Sequence, residues 1–296
     1  MKIPKLRWII AGLLCAATMI NYADRLALAV VSVDVRREFG MDEQDYSHVV
    51  TLFMLAYAVM YAGSGYVVDR LGARRGFAVF ISAWSLAQMS HAPARGKWSL
   101  AAARFALGLA EPGNWPAAAK AVGEWFPPAQ RALGVGIFNA GSSLGSAVAS
   151  PMTAFLTLHF GWRFAFLFTG GLGLIWLALW LVIYQPPHRN RWLAPAEYER
   201  MKAELRPPEQ AAAARAGVDW RAVVRRPGCY SLILARFFTD PVIYSRISVL
   251  NISVQLCNML QRLYSWGFQR DQALPESQTQ WVTNKTSPFS FPSTRL

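Results

Sequence analysis

GYVVDRLGARR, residues 65–75, is a short charged stretch between two long apolar ones, 46–68 and 76–92. A helix needs about 20 mostly apolar residues to cross a bilayer, and both flanks come close to that length. Working outward, comparable windows recur at 8–33, 98–119, 131–158 and 162–184, so six spans fill the first two-thirds of the chain. The fold expected is all-α: a polytopic membrane protein with a six-helix bundle over 1–184. Within the quoted stretch, Gly65 permits close helix approach and Gly72 can take the turn. Asp69 can accept bonds from a neighbouring helix end, and Arg70, Arg74 and Arg75 hold the loop at one membrane face. A basic loop that only sets topology would explain the arginines but not the placing of Asp69 and the glycines.

The composition agrees: of 296 residues, 54% are hydrophobic and 16% charged, with 12 Trp and 17 Phe, and the mean hydropathy is +0.22. A formal charge of +13 raises nucleic acid as a partner, but the basic residues lie between apolar windows instead of on an aromatic-studded RNA-binding motif or a zinc-finger frame. Their distribution reads as topology. Lys2, Lys5, Arg7, Arg70, Arg74, Arg75, Lys120, Arg131 and a long run after the sixth span fall on one side; Arg36, Arg37, Arg95, Lys97 and Arg163 fall on the other. The amino terminus is therefore expected in the cytoplasm, in a cell (inner) membrane, and the first window reads as a retained span because it lacks a small-residue cleavage site. Cys15, Cys229 and Cys257 are too scattered for a metal frame or a disulfide scaffold. His91, His159 and His188 sit near span ends or in the linker, where solvated or capping roles are expected. No metal, cofactor or catalytic constellation stands out, so an enzyme is not expected.

Two spans carry charge where lipid disfavours it. NYADR, residues 21–25, places Asp24 and Arg25 inside the first window, and RFALGLAEPGNWP, residues 104–116, places Arg104 and Glu111 in the fourth. Buried ionisable groups in a bilayer must pair or line a wet cavity. Arg104 and Glu111 are seven residues apart and so share one helix face. With antiparallel spans, Asp24 and Arg104 each lie about 24 Å from the same membrane face, which suggests an Asp24–Arg104 pair. A buried ion pair that only fixes helix packing is the alternative, but four charges of both signs in two spans favour a solute or proton path. Pro112 removes the backbone bond to Gly108 and predicts a kink beside Glu111.

Taken together, these motifs resemble the amino-terminal half of a major facilitator superfamily transporter, GYVVDRLGARR being similar to that superfamily's signature loop between helices 2 and 3. NYADR and RFALGLAEPGNWP resemble the anion:cation symporter family, and EWFPPAQRALGVGIFNAGSSLGS, LGLIWLALWLVIYQPP and ARFFTDPV are most similar to its hexuronate carriers. The resemblance covers about Arg7 to Tyr244. It implies that Arg25 holds a substrate carboxylate, with Tyr22 and Tyr57 hydrogen-bonding the sugar acid. It also implies that Asp24 and Glu111 are protonation sites coupled by Arg104, and that Gly65, Asp69, Arg70, Gly72, Arg74 and Arg75 form a gating loop. The chemistry is compatible, since Arg presents a charged fork matched to carboxylate geometry.

Residues 185–227 read as a basic, Pro- and Ala-rich cytoplasmic linker in which AEYERMKAEL forms a short helix, and 228–244 reads as the start of a seventh span. From Ser245 to the end the text is interrupted by Arg246, Asn251, Gln255, Asn258 and Arg262 and becomes rich in Ser, Thr and Gln. This tail reads as atypical, either frameshifted or disordered. The expected function is proton-coupled transport of an organic anion, a hexuronate or related sugar acid, by a truncated carrier whose partners are the anion, protons and the lipid bilayer. The alternative is a non-transporting half-carrier that associates with a copy of itself or a second half and serves as a membrane interaction or regulatory subunit.

Overall fold

A computed structural model describes residues 5–204 together with Arg225, Tyr230 and Leu234. The seventh-span start and the tail expected from the sequence lie outside those residues, apart from the isolated positions. The described part is all-α: α1 (Leu6–Phe39), α2 (Glu43–Met89), α3 (Lys97–Ala110), α4 (Asn114–Trp125), α5 (Arg131–Phe160), α6 (Trp162–Ile183) and the short α7 (Pro195–Glu204).

The six spans do not map one to one onto α1–α6, because of two local breaks. α2 runs for 47 residues in sequence, but Gly72 sits within it at φ 77°, ψ 165°, a non-helical conformation that favours a residue without a Cβ. Val68 and Gly76 pack against each other across this break, since a Cβ on Gly76 would lie 3.2 Å from the Val68 side chain. Eight residues of straight helix would separate them by about 12 Å, so the chain doubles back at Gly72 and α2 is two spans. The opposite happens in the fourth span. There α3 and α4 are one span interrupted by a 3-10 turn at Glu111–Gly113, because Pro112 and Pro116 each withhold a backbone N–H from the preceding turn.

Glycines set how closely the spans approach. On α5, a Cβ at Gly141 or Gly145 would run into the α1 backbone at Cys15 and Met19. On α6, Gly170 and Gly173 lie against Ser85 and Met89 of α2, and on α3 Gly108 lies against the Phe53 carbonyl and Ala56. Such contacts are how apolar helices associate when lipid offers no hydrophobic penalty. Gly65 differs from the expectation: nothing among the described residues approaches its Cβ position, and Gly76 has the close neighbour instead. Gly145→Val should therefore lower the thermal midpoint in detergent by several degrees, for an overpacking cost of about 1–3 kcal/mol. Gly136→Ala, on the same helix with open space around it, should not lower it.

Two apolar clusters hold the bundle. One gathers Leu6, Ile10, Leu14, Phe77, Trp84, Trp125, Trp180 and Tyr184 near the Gly72 end. The other gathers Val31, Val35, Val49, Leu100 and Phe166 near the Gly40 end. Along α1 they stop at Ala17 and resume at Ala27; the gap is NYADR. The linker does not hang free of the first cluster, since Leu193 and Met201 are buried in it and Asn190 Nδ2 donates to the Ile183 carbonyl at 3.2 Å.

Candidate anion and proton site

The polar layer between the clusters is assembled from α1, α2, α6 and the broken fourth span. Asn21, Asp24, Gln88, Arg104, Glu111, Asn114 and Thr169 are all buried. The break at Glu111–Gly113 positions this layer. There the Glu111 carbonyl, which also takes the Asn114 backbone N–H, accepts from Asn21 Nδ2 at 3.5 Å, and the Asn114 side chain donates to Thr18 Oγ1 at 3.1 Å.

The ion pair at its centre joins Arg25 to Glu111. Arg25 Nε and Nη2 donate to the same oxygen, Glu111 Oε2, at 2.9 and 2.8 Å. Glu111 is fully buried, whereas the Arg25 side chain keeps 13% exposure, so the pair is sealed on its acidic side and open on its basic side. Arg25 Cζ lies 4.6 Å from the Tyr57 ring centre, 5.1 Å from Tyr22 and 5.9 Å from Phe53, an aromatic cage for a cation. Trp115 closes one wall, with Nε1 donating to the Tyr57 hydroxyl at 3.2 Å and its ring edge-on to Tyr22 at 6.4 Å.

The pairing suggested by depth does not form. Among the described residues neither carboxylate oxygen of Asp24 is hydrogen-bonded, and Arg104 Nε is likewise without a partner. Arg104 sits against Phe53, its Cζ 5.6 Å from the ring centre. Gln88 ties α1 to α6, its Nε2 donating to the Asp24 carbonyl at 3.4 Å and to Thr169 Oγ1 at 2.9 Å. The reason is angular. Successive residues on a helix point about 100° apart, so Asp24 and Arg25 face different sides, and Arg25 shares its side with Tyr22 three residues earlier.

The residues expected to form a gating loop lie around Gly72. Lys120 Nζ of α4 donates to Asp69 Oδ1 at 2.8 Å. Arg70 lies over Tyr66, Arg74 Nη2 donates to the Leu181 carbonyl at 2.5 Å, and Trp180 Nε1 donates to the Arg74 carbonyl at 3.2 Å. Arg75 is exposed. His91 caps α2 as expected for a span end, Nδ1 donating to the Ala87 carbonyl at 2.9 Å, yet it is buried against Phe166 instead of solvated. Among the described residues no group of three or more His, Cys, Asp or Glu could hold a metal ion.

A doubled-back α2, a broken fourth span and a charged midsection already specify an unusual membrane bundle. The family model "Major Facilitator Superfamily" matches residues 14–268. The chain belongs to the Major Facilitator Superfamily. It is a multi-pass membrane protein of transporter type, with relatives among sugar-acid and anion carriers. It is 34% identical over 240 residues to a galacturonate transporter of Dickeya chrysanthemi, a match covering 81% of this chain and 69% of that protein. It is 33% identical over 241 residues to the hexuronate transporter of Escherichia coli K12, covering 81% of this chain and 55% of the relative. The D-galactonate transporter of Escherichia coli O6:H1 is 30% identical over 196 residues, 66% of this chain and 46% of that one. The chain thus spans about half the length of several superfamily relatives. In fold it is similar to a bacterial homolog of the human lysosomal transporter Spinster in an inward-facing, unoccupied conformation, with a TM-score of 0.63 over 84% of this chain and 55% of that one at 20% identity.

Asn21, Phe53, Gln88, Asn114, Trp115 and Thr169 belong to the site but carry no charge, so ions in apolar windows do not point to them. Asn21, Asn114 and Trp115 were within reach, since they stand in the same motifs as Asp24 and Glu111.

Proposed function

We propose that this chain forms the amino-terminal half of a proton-coupled carrier that takes a hexuronate or related sugar acid across the cell (inner) membrane. The observation that carries the reading is the Arg25–Glu111 pair, closed to solvent at the acid and open at the base. An anion arriving between Tyr22 and Tyr57 competes with Glu111 for the same two donors. With all four groups ionised, Arg25 and Arg104 balance Asp24 and Glu111, and a bound carboxylate adds one negative charge. Uncompensated charge in such a site is costly, and one proton taken up by a carboxylate restores neutrality. Protonated Glu111 is also the form that releases Arg25. Arg25 is thus the anion-holding residue, Tyr22 and Tyr57 contact the sugar acid, and Asp24, Glu111 and Arg104 couple its movement to the proton. The names of the relatives, galacturonate, hexuronate and D-galactonate transporters, support the sugar-acid class.

The test is uptake of labelled galacturonate into liposomes holding a carrier in which this half is completed by the second half of the galacturonate-transporting relative. Accumulation should require an inward proton gradient and collapse when a proton ionophore is added. Uptake that ignores the gradient would overturn proton coupling, and no uptake of any sugar acid would overturn the substrate class.

The orientation belongs to the same proposal, with the gating loop and linker in the cytoplasm. Single cysteines placed at 40–42, between α1 and α2, should react with an impermeant maleimide on intact cells, and cysteines at 188–194 only after permeabilisation. The reverse pattern would invert the topology.

A further inference from the structure

We propose that Trp115 fixes the polarity of the Tyr57 hydroxyl, making Tyr57 a committed hydrogen-bond donor to a carboxylate held beside Arg25. The inference rests on the anion-site reading and adds to it the residue that makes the site prefer an acid to its neutral counterpart. An indole N–H only donates, so the 3.2 Å contact from Trp115 Nε1 has one sense: the Tyr57 oxygen accepts. Arg25 lies over the face of the Tyr57 ring, its Cζ 4.6 Å from the centre, and spends Nε and Nη2 on Glu111. With the Trp115 N–H directed at its oxygen, Tyr57 has its own O–H left to offer. Tyr57 is half-buried, on the same open side as Arg25 and Tyr22. A carboxylate accepts and never donates when ionised, so it satisfies both Arg25 and Tyr57.

Local structure holds Trp115 to this task. It lies in the first turn of α4, just past the Glu111–Gly113 break, with Pro116 restricting the backbone after it. Its ring is pinned between Tyr22 at 6.4 Å and Phe138 at 6.0 Å. Trp115 is therefore a positioning residue that acts through Tyr57, and its contribution should vanish when the Tyr57 hydroxyl is absent. A site whose donors are fixed discriminates strongly against a ligand that cannot accept from them, because the donors are then left unpaired.

The experiment uses the whole 296-residue chain in lipid nanodiscs, with galacturonate as the probe and galactose as its neutral counterpart. Trp115→Phe keeps a ring and removes the N–H. It should weaken galacturonate binding about tenfold, the effect of one lost hydrogen bond to a charged ligand network, and leave galactose binding unchanged. Tyr57→Phe should weaken galacturonate to a similar degree, and the double variant should be no weaker than either single one. A ring that only packs would instead add its cost on the Tyr57→Phe background, and that result overturns the proposal. A second readout needs no ligand: the indole ¹⁵N–H resonance of Trp115, assigned by its loss in Trp115→Phe, should move in Tyr57→Phe, and an unmoved resonance likewise overturns the proposal. Wild-type chain that binds galacturonate while Trp115→Phe binds it equally well refutes the role of Trp115 alone. Wild-type chain that binds no galacturonate refutes the sugar-acid reading and this proposal with it.

Discussion

Glu111→Gln should abolish proton-driven accumulation of galacturonate in the completed carrier while leaving exchange of galacturonate across the membrane intact. Gln has the size of Glu and mimics its protonated form, so the 3-10 turn and the packing against α1 are kept. Its side-chain oxygen can still accept from Arg25, which in the wild type donates twice to Glu111 Oε2. What is lost is the charge that competes with substrate. For a carrier moving one proton per anion, each pH unit of gradient supports about tenfold accumulation, since one unit corresponds to 1.36 kcal/mol; in the variant the ratio should fall to unity. The pH dependence separates this from misfolding. If proton uptake at Glu111 frees Arg25, wild-type apparent affinity weakens as pH rises, because the deprotonated acid reclaims the guanidinium. The Gln variant should bind at least as tightly and show no such slope. A Gln variant that still concentrates galacturonate and responds to pH would make Glu111 a packing residue. Asp24→Asn tests the second carboxylate in the same way, and it should leave the Arg25–Glu111 contact unaltered because Asp24 takes no part in it.

The parts of this fold legible in the sequence are those fixed by one-dimensional constraints. Bilayer thickness imposes the length of each apolar window, and the six windows match the spans formed by α1, the two arms of α2, the α3–α4 pair, α5 and α6. Gly72 was legible as a turn because positive φ is cheap for glycine, and the break at Glu111 because Pro112 has no N–H to give. Which charges would meet was not legible. Depth along a span follows from counting residues, which brings NYADR to the fourth span but not to the right turn of it: Asn21 and Arg25 meet Glu111. Azimuth depends on how the helices are rotated, and that is set by close contacts such as Gly141 and Gly145 against α1, which counting does not reveal. Glu111, to which Asn21 and Arg25 both bond, lies about two turns along the fourth span from Arg104. Arg25 reaches Glu111 because its side chain is long and turns with Tyr22 toward the fourth span. The uncharged Gln88 and Thr169 gave no signal above the polar background of a membrane protein, whereas Trp115 stood in the Glu111 motif.

Arg25→Lys should weaken galacturonate binding about a hundredfold, near 2.7 kcal/mol, while the protein folds and inserts normally. The two halves of that expectation come from different features of the same side chain. Folding depends on the charge: Lys keeps a cation opposite Glu111, which is fully buried, and can lie over the Tyr57 and Tyr22 rings as Arg25 does. Arg25→Ala would be a poor test, because leaving a buried carboxylate unpaired costs about 3–5 kcal/mol and would confuse lost binding with lost structure. Binding depends on the fork. Arg25 presents Nε and Nη2 together toward one acceptor, an arrangement that a carboxylate can take over with both donors, whereas an ammonium offers a single point of attachment. Lys also lacks the planar group that stacks between the two tyrosines. Isothermal titration of galacturonate against each protein, with matched thermal midpoints as the control for folding, decides the matter. Equal affinity for the two proteins at equal stability would remove Arg25 from the anion site, and with it the reason for an open basic side on a sealed ion pair.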